Sequence, residues 1–154
     1  MNTDELFDAV DEHFLARLEY VDAFTRAERV VEGWFRGELI RLFDSIGLKW
    51  EPEISPADFG RKKIDFLLKL ETENLYIETK ALYHGNQRGQ KLPLNIYFYQ
   101  DRAGISPDVK KLSIIDTGRK LCLLFVYPRQ SLLLRLIFRC PGLKRTPTSF
   151  RSHR

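Results

Sequence analysis

The stretch KIDFLLKLETENLYIETKAL, residues 63–82, holds two apolar runs on either side of the polar tetrad ETEN. Alternation flanking a short polar turn predicts a β-hairpin. Centring the turn between Thr72 and Glu73 sets Asp65 opposite Lys80 and Leu67 opposite Glu78. Side chains alternate between the faces of a strand, so Asp65, Leu67, Tyr76, Glu78 and Lys80 share one face. The other face, Ile64, Phe66, Leu68, Leu75, Ile77 and Thr79, is almost wholly apolar and is the natural core side.

The polar face then gathers two carboxylates and a lysine, because directly opposed Cβ atoms lie about 5 Å apart. Hard oxygen donors on adjacent strands suit Mg²⁺, which leaves its remaining positions to water and a substrate phosphate. Such an ion lowers the pKa of a bound water, and a lysine beside it stabilises developing negative charge. The alternative is a solvated strand face on which Asp65 and Lys80 form an ion pair of less than about 1 kcal/mol.

Upstream of the hairpin, residues 1–46 contain no proline and their apolar spacing is helical. It predicts one helix over Thr3–Tyr20 and a second over Ala23–Ser45, stopped by Gly47. At about 100° per residue, Val31, Trp34, Phe35, Leu39, Leu42 and Ile46 form one apolar arc of the second helix. Glu38 falls inside that arc, where an acid is unfavourable unless paired or linked to a metal. It either joins the hairpin charges or pairs with Arg41 or a nearby lysine; Glu32 lies at the margin of the arc. LKWEPEI, residues 48–54, alternates as a strand does.

Downstream, residues 82–105 combine a polar, basic loop from His84 to Lys91 with the aromatic run NIYFY. Gln87, Arg88 and Lys91 are candidate phosphate contacts there, or ordinary surface residues. SPDVKKLSII begins with Ser106 as a candidate N-cap and Pro107 at the first helical position. RKLCLLFVYP reads as a central strand, with Cys122 a buried core residue, and QSLLLRLIFR as a final packed helix. The expected order is α, α, β, β, β, an unassigned segment, α, β, α, a mixed α/β layer fold.

A chain of 154 residues with 44% apolar and 30% charged side chains suits one globular domain, expected over residues 1–140. No apolar run approaches the roughly 20 residues of a spanning helix. The acidic start MNTDELFDAVDEH resembles neither a signal nor a transit peptide. Cys122 and Cys140 form no CxxC pair or Cys/His cluster, which argues against a zinc or iron–sulfur site and suits a cytoplasmic protein. The charge is divided along the chain. The first 38 residues hold ten acids and four bases, whereas from Thr117 onward there are nine Lys or Arg and no acid. A basic C-terminal third can contact phosphate backbones. Residues 141–154 read as a basic tail, either engaged in such contacts or disordered and solvated.

Glu38 on a helix, GLKWEPE, KIDFLL, LYIETKAL, the later helix SPDVKKL and the strand LCLLFVY together resemble the PD-(D/E)xK nuclease superfamily, the restriction-endonuclease-like phosphodiesterases. The resemblance spans roughly residues 30–127. It implies an αβββαβ core with a small mixed sheet flanked by helices, here with an extra N-terminal helix. It implies a Mg²⁺-dependent endonuclease, with Mn²⁺ as substitute, acting on nucleic acid and on DNA first. Asp65 and Glu78 would be the metal ligands with the backbone carbonyl of Thr79, Lys80 the catalytic lysine, and Glu38 the helix glutamate supporting the metal. The proline of the family motif is absent, since Lys63 and Ile64 precede Asp65. Cutting both strands would call for a homodimer. A non-catalytic nucleic-acid-binding or assembly module on the same fold is the alternative.

Overall fold

The computed structural model describes residues 1–17, 19, 20, 23, 31–55, 62–83, 85–87, 90–92, 98, 104–127 and 132–138. Helix α1 spans Thr3–Leu15 and is capped by Asn2, whose side chain accepts from the backbone N–H groups of Asp4 and Glu5. Glu5 closes the capping box by accepting from the Asn2 N–H at 2.8 Å. Helix α2, Val31–Ser45, ends as the glycine at position 47 predicts. Gly47 takes the left-handed conformation at φ 67°, and its N–H bonds the Asp44 carbonyl. The Leu48 N–H bonds the Phe43 carbonyl at 2.9 Å, completing a Schellman motif.

Among the described residues the strands are β1 Lys49–Ile54, β2 Ile64–Lys69, β3 Asn74–Tyr83, β4 Gly85–Gln87, β5 Gln90–Leu92, β6 Arg119–Tyr127 and β7 Leu132–Phe138. Helix α3, Ile105–Ser113, lies between β5 and β6. The main sheet has the order β1-β2-β3-β6-β7, and β4 and β5 pair separately. Only β3 and β6 run parallel, joined by the crossover that contains α3; the other neighbours are antiparallel. The chain is thus α/β, with a mixed sheet between helical layers. One core packs Leu6, Val10 and Phe14 of α1 and Phe35 and Leu39 of α2 onto Phe66, Leu68, Ile77, Leu123 and Phe125. A second packs Ile105 and Leu112 of α3 onto Leu82, Cys122 and Leu124 on the opposite face. From Leu121 to Val126, β6 is therefore apolar and buried, as a strand covered on both faces must be.

Several expectations are corrected. The hairpin pairs Phe66 with Ile77 and Lys69 with Asn74, so the turn centres between Glu71 and Thr72, one position earlier than expected. The reason is the tight closure in which the Leu70 N–H bonds the Glu73 carbonyl at 3.0 Å. The register moves by two residues, which preserves parity; Asp65 now falls opposite Glu78 rather than Lys80. Ile64 leaves the α1/α2 side and packs into the second core. Helix α1 stops at Leu15, short of Tyr20. Helix α3 starts at Ile105, not at Pro107, which seats buried Ile105 in the second core; Pro107 still falls in the first turn, where it is tolerated. QSLLLRLIFR supplies a strand, not a helix, with Leu132–Phe138 antiparallel to β6. A continuous apolar run carries no periodicity to separate the two, and the free edge of β6 offers it a full ladder. The notional loop His84–Lys91 contains the β4/β5 pair. Arg88, residues 141–154 and residues 24–30 of the second predicted helix lie outside the described residues.

Candidate active site

The central hairpin opens where its charged residues begin. Ladder pairing of β2 with β3 runs from Lys69 back to Phe66, and at the next residue a side chain takes over. Asp65 Oδ2 accepts from the Thr79 N–H at 2.8 Å and from Thr79 Oγ1 at 2.7 Å. The carboxylate thus stands where a ladder carbonyl would, in the notch between the strands. Its second oxygen, Oδ1, lies 3.1 Å from Nη2 of Arg36 on α2. Arg36 also donates from Nε to Thr79 Oγ1 at 3.0 Å and pairs with Glu32 Oε1 at 3.0 Å. Asp65 is therefore fixed by β3 on one side and α2 on the other.

Glu78 is 2% exposed, on the face covered by α3. Lys111 Nζ lies 2.6 Å from its Oε1 and donates to the Lys63 carbonyl at 2.8 Å. The Lys111–Glu78 contact is a close ion pair, and among the described residues no other donor reaches Oε1. Burial pushes the Glu78 carboxyl up to about 7; Asp65 and Asp108 add to the rise and Lys111 opposes it. Asp108, one turn before Lys111 on α3, has a second such buried oxygen, Oδ2. Burial raises its pKa, while nearby Lys80 lowers it. Lys80 Nζ lies 3.5 Å from Asp108 Oδ2 and 3.9 Å from Glu32 Oε2, between the α2 and α3 layers.

The structure therefore gathers Asp65, Glu78, Thr79 and Lys80 with Glu32, the lesser rival of Glu38 on the sequence, and adds three residues that the sequence reading did not place there: Arg36, Asp108 and Lys111. Four acids face three bases. The i, i+3 spacing of Asp108 and Lys111 puts them on one face of the predicted helix. Which face meets the hairpin depends on the crossover, which periodicity does not encode.

Glu38 is not brought to this cluster. Its Oε2 bonds His13 Nε2 at 2.8 Å and meets Arg17 Nε at 3.0 Å, and its Oε1 accepts from Arg41 at 3.0 Å. Arg36 faces Asp65, and Glu38, two residues on, lies about 200° around the helix from it. Its carboxylate therefore points towards α1. The pairing with Arg41 weighed as the plain reading of Glu38 is present, and the α2 acid nearest Lys80 is Glu32.

Among the described residues no three His, Cys, Asp or Glu side chains converge as a ready metal cage. Mg²⁺ does not need one, since it commonly takes one or two carboxylates and keeps several waters. The donor chemistry fits at Glu78, where buried Oε1, like Asp108 Oδ2, is a hard oxygen that only a lysine approaches among the described residues, while the Asp65 oxygens already accept from Thr79 and Arg36. Beside Asp65, a cavity of about 490 Å³ opens between α2 and β1/β2, lined by Arg36, Ile40, Pro52, Glu53, Lys63 and Phe66. Lys91 lies on β5. Among the described residues no helix is long and apolar enough to cross a membrane. No family model, curated protein or solved structure matches the chain.

Proposed function

We propose that this protein is a Mg²⁺-dependent endonuclease of the PD-(D/E)xK type that hydrolyses phosphodiester bonds in nucleic acid, DNA before RNA. One observation supports it above the others. Buried Glu78 and Asp108 lie near enough to Asp65 for their charges to oppose one another, and among the described residues only lysine ammonium groups approach Glu78 Oε1 and Asp108 Oδ2. Native folds rarely leave buried polar atoms unbonded, and perturbed carboxylates of this kind concentrate at functional sites. The element order from Val31 to Tyr127, α-β-β-β-α-β with β4/β5 inserted, agrees with the restriction-endonuclease-like core.

Asp65 and Glu78 would hold the ion, with the Thr79 carbonyl as a further ligand and Mn²⁺ as a substitute. When bound, Mg²⁺ lowers the pKa of a coordinated water and neutralises charge on the phosphate. Lys80 Nζ is positioned to donate to a phosphate oxygen or to hold the attacking water. Thr79 and Arg36 orient the Asp65 carboxylate, and Glu32 holds Arg36. Arg36 and Lys63 line the adjoining cavity and would draw the phosphate backbone in. One site faces one strand, so a double-strand cut would take a homodimer.

Cleavage of plasmid and single-stranded substrates with Mg²⁺ or Mn²⁺ tests the reading. Asp65→Asn and Lys80→Met should each lose on the order of 10²–10³ in rate, the scale for removing one electrostatic contributor. Metal-dependent cutting unchanged in both variants would remove the site assignment. Both Asp65 oxygens are already bonded by protein donors, which favours a second reading, a nucleic-acid-binding or assembly module that does not cut. Retention of DNA without cleavage or any metal binding would select that second reading.

A further inference from the structure

Lys111 sits where the site needs a cation. Its ammonium touches Glu78 Oε1 of β3 at 2.6 Å and the carbonyl of Lys63, the residue before β2, at 2.8 Å. Its side chain is 18% exposed and that of Glu78 is 3% exposed, so this charge contact is shielded from solvent. Lys110, the neighbour on α3, is exposed. The ammonium is the one cation that the described residues bring to Glu78 Oε1. A monovalent ammonium at an oxygen-rich position is the weaker occupant of a place that suits a divalent ion.

We propose that Lys111 is an internal counter-ion that occupies the Glu78 end of the site, and that a divalent cation must displace it to bind. The inference rests on reading Glu78 as a cation ligand. It makes metal loading a competition between two cations for one carboxylate, with α3 carrying the competitor. Displacement frees the ammonium for the anionic substrate, because Lys111 lies one turn from Asp108 and on the same side as Lys80.

Two measurements test it, neither of them activity. Mn²⁺ binding by calorimetry and electron paramagnetic resonance, above pH 7, compares wild type with Lys111→Met and Lys110→Met. Removing one competing charge should tighten Mn²⁺ on the order of tenfold in Lys111→Met, with Lys110→Met unchanged. In the unsubstituted protein, the reactivity of each lysine towards an amine-directed reagent, read by mass spectrometry, should rise severalfold at Lys111 on adding Mg²⁺ and stay level at Lys110. This second measurement holds even where Lys111→Met folds poorly. Equal Mn²⁺ affinity in wild type and Lys111→Met, or Lys111 labelling indifferent to Mg²⁺ in a protein that binds it, overturns the displacement and leaves the metal site standing. No Mn²⁺ binding in any of the three proteins overturns both.

Discussion

Glu38 and Glu78 are both buried carboxylates on core elements, and they are bonded in opposite ways. Glu38 receives nitrogen donors from His13, Arg17 and Arg41 within 3.0 Å, so each of its oxygens is satisfied. Glu78 has one lysine at Oε1 and two further acids nearby. A buried charge with its donors complete ties elements together, here α1 to α2. A buried charge left short of donors raises the free energy of its ionised form and keeps a coordination position open. The contrast separates an acid that serves the fold from one that fits the chemistry.

The sharpest break of this comparison is catalytic. Glu78→Gln should lose on the order of 10²–10³ in metal-dependent cleavage, whereas Glu38→Gln should stay within a few-fold of wild type. Cleavage assays at saturating Mg²⁺ on both variants decide it. Equal losses would return Glu38 to the site and dissolve the distinction. Stability should show the reverse. Glu38→Ala strands His13, Arg17 and Arg41 and should cost about 2–4 kcal/mol, several degrees in Tm, by denaturant and thermal unfolding. Glu78→Gln should cost little, because the amide removes a charge that the site penalises.

The pH dependence of stability should separate the two acids as well. The folded-state pKa of Glu78 is raised from its ordinary 4.5 to about 7, chiefly by burial. Between these values the folded chain keeps a proton that the unfolded chain has released. Stability therefore falls as pH rises from about 4.5 to 7, and levels off above. Thermal unfolding across that window should slope downwards in wild type, and the slope should shrink in Glu78→Gln. A slope of equal size in both proteins would place the titration elsewhere.

The two regions also differ in how much of them the sequence made legible. The hairpin was readable because period-two alternation survives an error in the turn: a shift of two residues left Asp65 and Glu78 on one face and brought them opposite each other. Glu38 was readable as buried, since the apolar arc of α2 demanded it, and it is 8% exposed. Its direction was not, because an arc wide enough for two neighbours does not say which flank meets α1 and which meets β3. Arg36 escaped notice for the same reason. Asp108 and Lys111 depended on the docking of α3 across the parallel β3–β6 pair, a contact far apart in sequence. QSLLLRLIFR failed as a helix because strand pairing with β6, not local pattern, decided its conformation.

The smallest effect tests whether the donors around Glu38 are equivalent. Arg41 is 67% exposed and sits at i, i+3 from Glu38, whereas Arg17 is 26% exposed and reaches across from α1. An exposed pair within one helix contributes little, because water screens it and the side chain gives up rotamer freedom. Arg41→Ala should therefore cost less than about 1 kcal/mol. Arg17→Ala should cost more, because it also removes the donor to the His13 carbonyl at 2.9 Å and half of the bridge between the helices. Chemical denaturation of the two single variants and of the double variant with Glu38→Ala measures each coupling. An Arg41 coupling larger than that of Arg17 would mean that Glu38 is held by its own helix, and the tie between α1 and α2 would then rest on the packing of Phe14 against Phe35.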